Sequence, residues 1–119
     1  LPIFGSALGT LYARGSHLII PVSREKLIPS VEAAVRQLGI HAFDDTMGMA
    51  CGMIPVVGAA IITEVEALDI LCGVEAVQVS GGGVGGSEGS VGLVVSGPKP
   101  KVAAAMELVR AIKGEPPIV

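Results

Sequence analysis

Large aromatic residues are nearly missing from this chain, which has no tryptophan, one tyrosine and two phenylalanines. The platforms on which nucleic-acid bases stack are therefore not there. Cationic side chains are also few, eight Lys and Arg against eleven Asp and Glu, for a net charge of -3. Neutralising a phosphate backbone takes clustered Lys and Arg. The basic residues here are scattered, so nucleic acid is not expected as a partner. Cysteine is limited to Cys51 and Cys72, which form no CxxC pair and have no histidine beside them. That is too small a ligand set for a metal, and no motif calls for a cofactor. Two reduced, buried thiols in a cytoplasmic protein are the expectation. No membrane-spanning run is present either. The longest uncharged stretch, "MGMACGMIPVVGAAII" at 47–62, has 16 residues with three Gly and a Pro, whereas a spanning helix needs about 20 apolar residues. No basic start with an apolar stretch and a small-residue cleavage site marks a signal peptide.

What the chain does have is aliphatic surface. Half of its 119 residues are hydrophobic, and the mean hydropathy is +0.70. The length predicts a single domain over 1–119 with a core of Val, Ile, Leu, Ala and Met. Apolar surface beyond what one small domain can bury is expected to face a partner subunit.

The periodicity predicts two strands, 8–15 and 16–23, around the turn-prone Gly15-Ser16. A helix follows over 24–39, with Leu27, Val31, Ala34, Val35 and Leu38 on one stripe. Ser23 is its expected cap and Gly39 its terminator, while Pro29 kinks the first turns or delays the regular helix. "MACGMIPVV" (49–57) reads as a strand buried on both faces. Residues 59–73 read as a helix with Ile61, Val65, Leu68 and Cys72 inward and Thr63, Glu64, Glu66 and Asp69 facing out. Strands at 74–80 and 90–97 flank a loop as a hairpin. A last helix over 99–114 turns Val102, Ala105, Met106, Val109 and Ile112 inward, and 115–119 adds an edge strand.

From residue 49 the order is strand, helix, strand, strand, helix, strand. This predicts an α+β fold of ferredoxin-like βαββαβ type over 49–119, with an extra N-terminal ββα unit at 1–45.

The loop "VSGGGVGGSEGS" (79–90) carries six glycines. No GK[ST] follows "GGGVGG", so it is not a phosphate-binding loop of Walker type. A β-rich run follows it where a dinucleotide fingerprint would need a helix. Nucleotide binding, a mobile hairpin and the lining of a symmetry axis remain open as readings. Elsewhere, His17 and His41 read as solvated or hydrogen-bonded structural residues, and Asp44-Asp45 as a solvated loop. Met47, Met49 and Met53 beside Cys51 allow soft-metal chemistry, but adaptable core packing is the preferred reading. Nothing pairs a nucleophile with a base, which argues against an enzyme, apart from a site assembled between subunits.

In "ACGMIPVVG" (50–58), "EALDILCGVEAVQV" (66–79) and "GLVVSGPKPKVAAAMELV" (92–109), residues 49–119 resemble a bacterial microcompartment shell domain. The resemblance implies a self-assembling structural protein, hexameric or trimeric and pseudohexameric, that also packs with other shell proteins. Ser80, Gly81, Gly82, Gly83, Gly85, Gly86, Ser87, Glu88, Gly89 and Ser90 would then line a narrow axial pore for metabolites. Glu88 would repeat once per subunit as a ring of carboxylates. Asp69 would fix its helix against its neighbours, and Gly73 would stand where the family commonly carries an edge lysine. The alternative is a small-molecule-binding regulatory oligomer of ferredoxin-like fold, its glycine-rich loop closing over an anionic ligand.

Overall fold

The computed structural model describes residues 2–117. Its elements are α1 (Pro2–Ala13), β1 (Ile19–Pro21), a 3-10 turn (Arg24–Lys26), α2 (Val31–Gln37), β2 (Ala60–Ile62), α3 (Glu64–Cys72), β3 (Glu75–Gly81), β4 (Val91–Ser96) and α4 (Lys99–Ile112). The strands form two two-stranded sheets, β1–β2 and β3–β4, so the fold is α+β. No described helix is long and apolar enough to cross a membrane. By its contacts the chain forms two compact units: Leu1–Ile20 with Leu27–Ala60, and Pro21–Lys26 with Ile61–Val119. Ser23 and Arg24 belong to the second unit, where they bond to Thr63, Glu64 and Gln78.

The second unit has the predicted hairpin and last helix, while its first helix starts later than expected, at Glu64. Thr63 caps α3, its side chain accepting from the Val65 N–H, while the Glu66 carboxylate accepts from the Thr63 N–H at 2.7 Å. This reciprocal capping box fixes where the helix begins. Helical spacing puts Val65, Leu68 and Cys72 on one side. They pack with Val74, Ala76, Leu93, Val95, Val102 and Ala105. β3 and β4 pair antiparallel from Glu75↔Ser96 to Gly81↔Val91, with a bulge between Gln78 and Ser80. Alternation along the strands turns Ala76, Leu93 and Val95 toward the helices and Val77, Val79 and Val94 outward. Small side chains at Ala76 and Ala105 let the helices approach the sheet closely. Burial of Leu68 or Val74 stabilises by about 1.5–3 kcal/mol each.

In the first unit, α1 and α2 are followed by an irregular stretch up to β2. Leu8 is buried. The Val57 N–H donates to the Tyr12 hydroxyl at 2.6 Å, and the Ala60 N–H to the Leu18 carbonyl at 2.8 Å.

Residues 8–13 lie in α1 and are not a strand. Gly15, at φ 64°, ends this helix instead of turning a hairpin: its N–H donates to Tyr12 O and that of Ser16 to Leu11 O, both at 3.1 Å. That pattern is a Schellman cap. The helix expected from residue 24 starts at Val31, because the residue before Pro29 is pushed out of the helical region. Ser30, not Ser23, is its cap, accepting from the Ala33 N–H at 3.1 Å. Residues 59–62 fall outside the helix expected over 59–73, and Ile61 is exposed in β2. In α4, Met106, Val109 and Ile112 are exposed.

The predicted strand at 49–57 is not formed, and Met47, Met49, Cys51 and Met53 are exposed, not packed in a core. Pro55 lacks a ladder donor and the glycines disfavour extended pairing. Residues 115–117 form no strand, and the rest of the expected 115–119 strand lies outside the described residues.

Candidate functional site: the glycine-rich loop and the polar cluster at its base

The hairpin β3–β4 holds Ser80 and Gly81 on its first strand and projects Gly82 to Ser90 beyond it. The loop is closed at its neck by two bonds: the Gly82 N–H donates to Ser90 O at 2.9 Å, and the Ser90 hydroxyl donates back to Gly82 O at 3.0 Å. The Ser90 N–H donates to Ser87 O at 3.1 Å. At the tip, Gly86 donates its N–H to the Glu88 carboxylate at 3.0 Å, so Glu88 is bent back onto its own loop. All residues from Gly81 to Ser90 are exposed.

The loop's own path accounts for much of its glycine. A Cβ on Gly83 would collide with the Ser87 carbonyl and lie 2.7 Å from the Ser87 Cβ. Gly89, at φ 78°, has the Glu25 carboxylate where a Cβ would stand. Gly85 and Gly86 also lie at positive φ but face open space.

A polar cluster that sequence reasoning missed braces the base of this loop. The 3-10 turn brings the Arg24 guanidinium to Gln78, with Nε donating to Oε1 at 2.6 Å, and to Thr63, with Nη1 donating to Oγ1 at 3.1 Å. Gln78 then donates to the Ser80 carbonyl at 3.3 Å. Glu64 accepts from the Ser23 hydroxyl at 3.1 Å and from the Arg24 N–H at 3.0 Å. Thr63 is buried, and its hydroxyl also donates to Glu66. Glu64 and Glu66, expected on a wet face, are half-buried and engaged. The Glu66 carboxyl is held below its ordinary range, first by the Thr63 hydroxyl and then by the Thr63 N–H, with the Arg24 charge contributing less. No local signal announces these contacts, which join residues about 40 to 54 positions apart.

Asp69 and Gly73 are brought together away from the loop, at the other end of β3. Seven residues of strand separate the two places by roughly 20 Å. Asp69 is exposed, and with Gly73 it lines a cavity of about 360 Å³ that also touches Val65 and Val74. Gly73, at φ 65°, caps α3 by donating its N–H to Asp69 O at 2.8 Å. The Lys101 Nζ of α4 stands 3.2 Å from where a Gly73 Cβ would be. His17 and His41 are exposed, and the described residues hold no group of three His, Cys, Asp or Glu placed for a metal.

The site defines an α+β hairpin protein with a braced, side-chain-poor loop. No protein-family model, curated protein or solved structure matches the chain.

Proposed function

We propose that the chain is a self-assembling structural protein whose copies gather the glycine-rich loops around a small axial opening for metabolites. The observation that carries this reading is the outward face of the β3–β4 hairpin. Val77, Val79 and Val94 are 52%, 62% and 51% exposed on it. Among the described residues each strand pairs only with the other, which leaves both outer edges free. An apolar face between two open edges is costly in water and suits association with further strands. A second copy of the chain supplies an identical face and edge. The loop extends from the end of this hairpin without bulky side chains at Gly82, Gly85 and Gly86, as close convergence of several copies requires.

The order helix, strand, strand, helix from α3 to α4, with both helices packed on one face of the hairpin, supports a ferredoxin-like or microcompartment-shell-like arrangement of such a subunit, although β2 pairs with β1 and not with the hairpin. A shell role would place the assembly in the bacterial cytoplasm with related shell proteins as neighbours. In that role the Glu88 carboxylates would favour cations over anions at the opening.

Native mass spectrometry of the full chain tests the reading. A hexamer or trimer is expected, falling to monomer in Val77→Asp/Val79→Asp. Wild-type chain that stays monomeric up to its solubility limit would overturn it. Gly85→Phe is expected to change the copy number or the solute passage of the assembly. If neither changes, the axial role of the loop is lost.

A further inference from the structure

We infer that residues Met47 to Met53 form a capture site for a soft monovalent metal ion, Cu(I), with the sulfurs of Met47, Met49 and Cys51 as ligands. The inference does not depend on assembly.

In "MGMACGM" a sulfur-bearing residue occupies every second position, and the residues between them are Gly48, Ala50 and Gly52. Small spacers leave the backbone free to bring the sulfurs toward one ion. The fold does not use these side chains for packing. Met47 is 103% exposed and Met49 91%, Cys51 is exposed, and the stretch has no regular secondary structure. Gly48, at φ 110°, turns the chain between Met47 and Met49. Met47, Met49 and Cys51 line one cavity of about 290 Å³, with Leu38 and Phe43 as apolar wall.

The donor set selects the ion. Thioether and thiolate sulfurs prefer Cu(I), whereas carboxylates and carbonyls suit Mg²⁺, Ca²⁺ and Mn²⁺. Asp45 is the one carboxylate lining the cavity, too few oxygens for a hard cation. Zinc sites draw on Cys, His and carboxylate ligands, and no group of three such residues exists among the described ones. Binding forms a Cu–S bond at Cys51 and releases the thiol proton to solvent, while copper stays in its +1 state and no electron moves.

The test is competition for Cu(I) presented to the full chain as its bicinchoninate complex under anaerobic conditions. One Cu(I) per chain should be withdrawn, read as loss of the complex's visible absorbance. Cys51→Ser and Met47→Leu/Met49→Leu should each weaken the competition by about tenfold or more. Cys72→Ser should leave the competition unchanged, and the far-UV circular dichroism of the Cys51 and methionine variants should be unchanged, since Met47, Met49 and Cys51 are exposed. Silver titration followed by native mass spectrometry should give the same single adduct, and Zn²⁺ none. Absence of competition would overturn the assignment. So would wild-type affinity in the methionine variant, which would leave a bare thiol as the only ligand, or equal loss in Cys72→Ser.

Discussion

Arg24 and Gln78, 54 positions apart, are joined by a 2.6 Å hydrogen bond from Nε to Oε1. The contact ties the 3-10 turn to β3 just before its bulge, and Arg24 reaches the α3 cap at Thr63 with the same guanidinium. The turn, the helix start and the root of the glycine-rich loop are thus one connected polar unit.

Cutting this link should be measurable. Arg24→Ala is expected to destabilise the chain by about 1.5 kcal/mol, the usual worth of hydrogen bonds to a charged group that is partly screened. Gln78→Leu should cost less. In urea unfolding the double variant should cost less than the sum of the two. Strict additivity would show that the bond contributes nothing.

Acid should reveal the capping box. Glu66 is held below the ordinary value of 4.5 chiefly by the Thr63 hydroxyl. A carboxyl whose pKa is lower folded than unfolded adds its full stabilisation above the unfolded value and loses it as pH falls through the folded one. Wild type and Glu66→Gln should therefore differ most in stability near neutral pH and converge in acid below 4.5. Thr63→Ala should lose most of this acid dependence, together with about 1 kcal/mol of cap stability. A gap between wild type and Glu66→Gln that is constant with pH would remove the carboxylate from the explanation.

Two glycines of the loop should respond differently to one methyl group. Gly83→Ala drives a Cβ into the Ser87 carbonyl, whereas Gly85→Ala meets open space at φ 62°. The second should cost about 1 kcal/mol for its left-handed backbone. The first should cost more and speed amide exchange at the neck bonds of Gly82 and Ser90. The reverse order would mean that the loop does not follow this path.

Much of the second unit is legible in the sequence because its signals are local. The spacing of Val65, Leu68 and Cys72 marks the buried side of α3, while its start reads as residue 59 because the apolar run before Thr63 fits a helix as well as the strand it forms. The alternation around Ala76 and Leu93, with glycines between the strands, marks the hairpin and the loop residues Ser80 to Ser90. α4 is legible from its periodicity, though less of its stripe is buried than the pattern implies.

The first unit is less legible. Gly15 punctuates the chain whether it turns a hairpin or ends a helix, and only the bonds from Gly15 to Tyr12 and from Ser16 to Leu11 distinguish the two. "MACGMIPVV" has the composition of a buried strand, but among the described residues no strand pairs with it. Composition states what a segment would gain by burial, not whether a neighbour exists to bury it.

The sequence by itself determined the α+β class, the buried stripe of α3, the hairpin and the placing of the glycines, since each rests on residues within a few positions of one another. Only the tertiary structure decided that Arg24 braces Gln78 and Thr63, that Glu64 and Glu66 are engaged, and that the sulfurs of Met47, Met49 and Cys51 meet water. Local propensity acts along the chain, whereas these outcomes depend on which distant segments fold against one another, and periodicity carries no record of that choice.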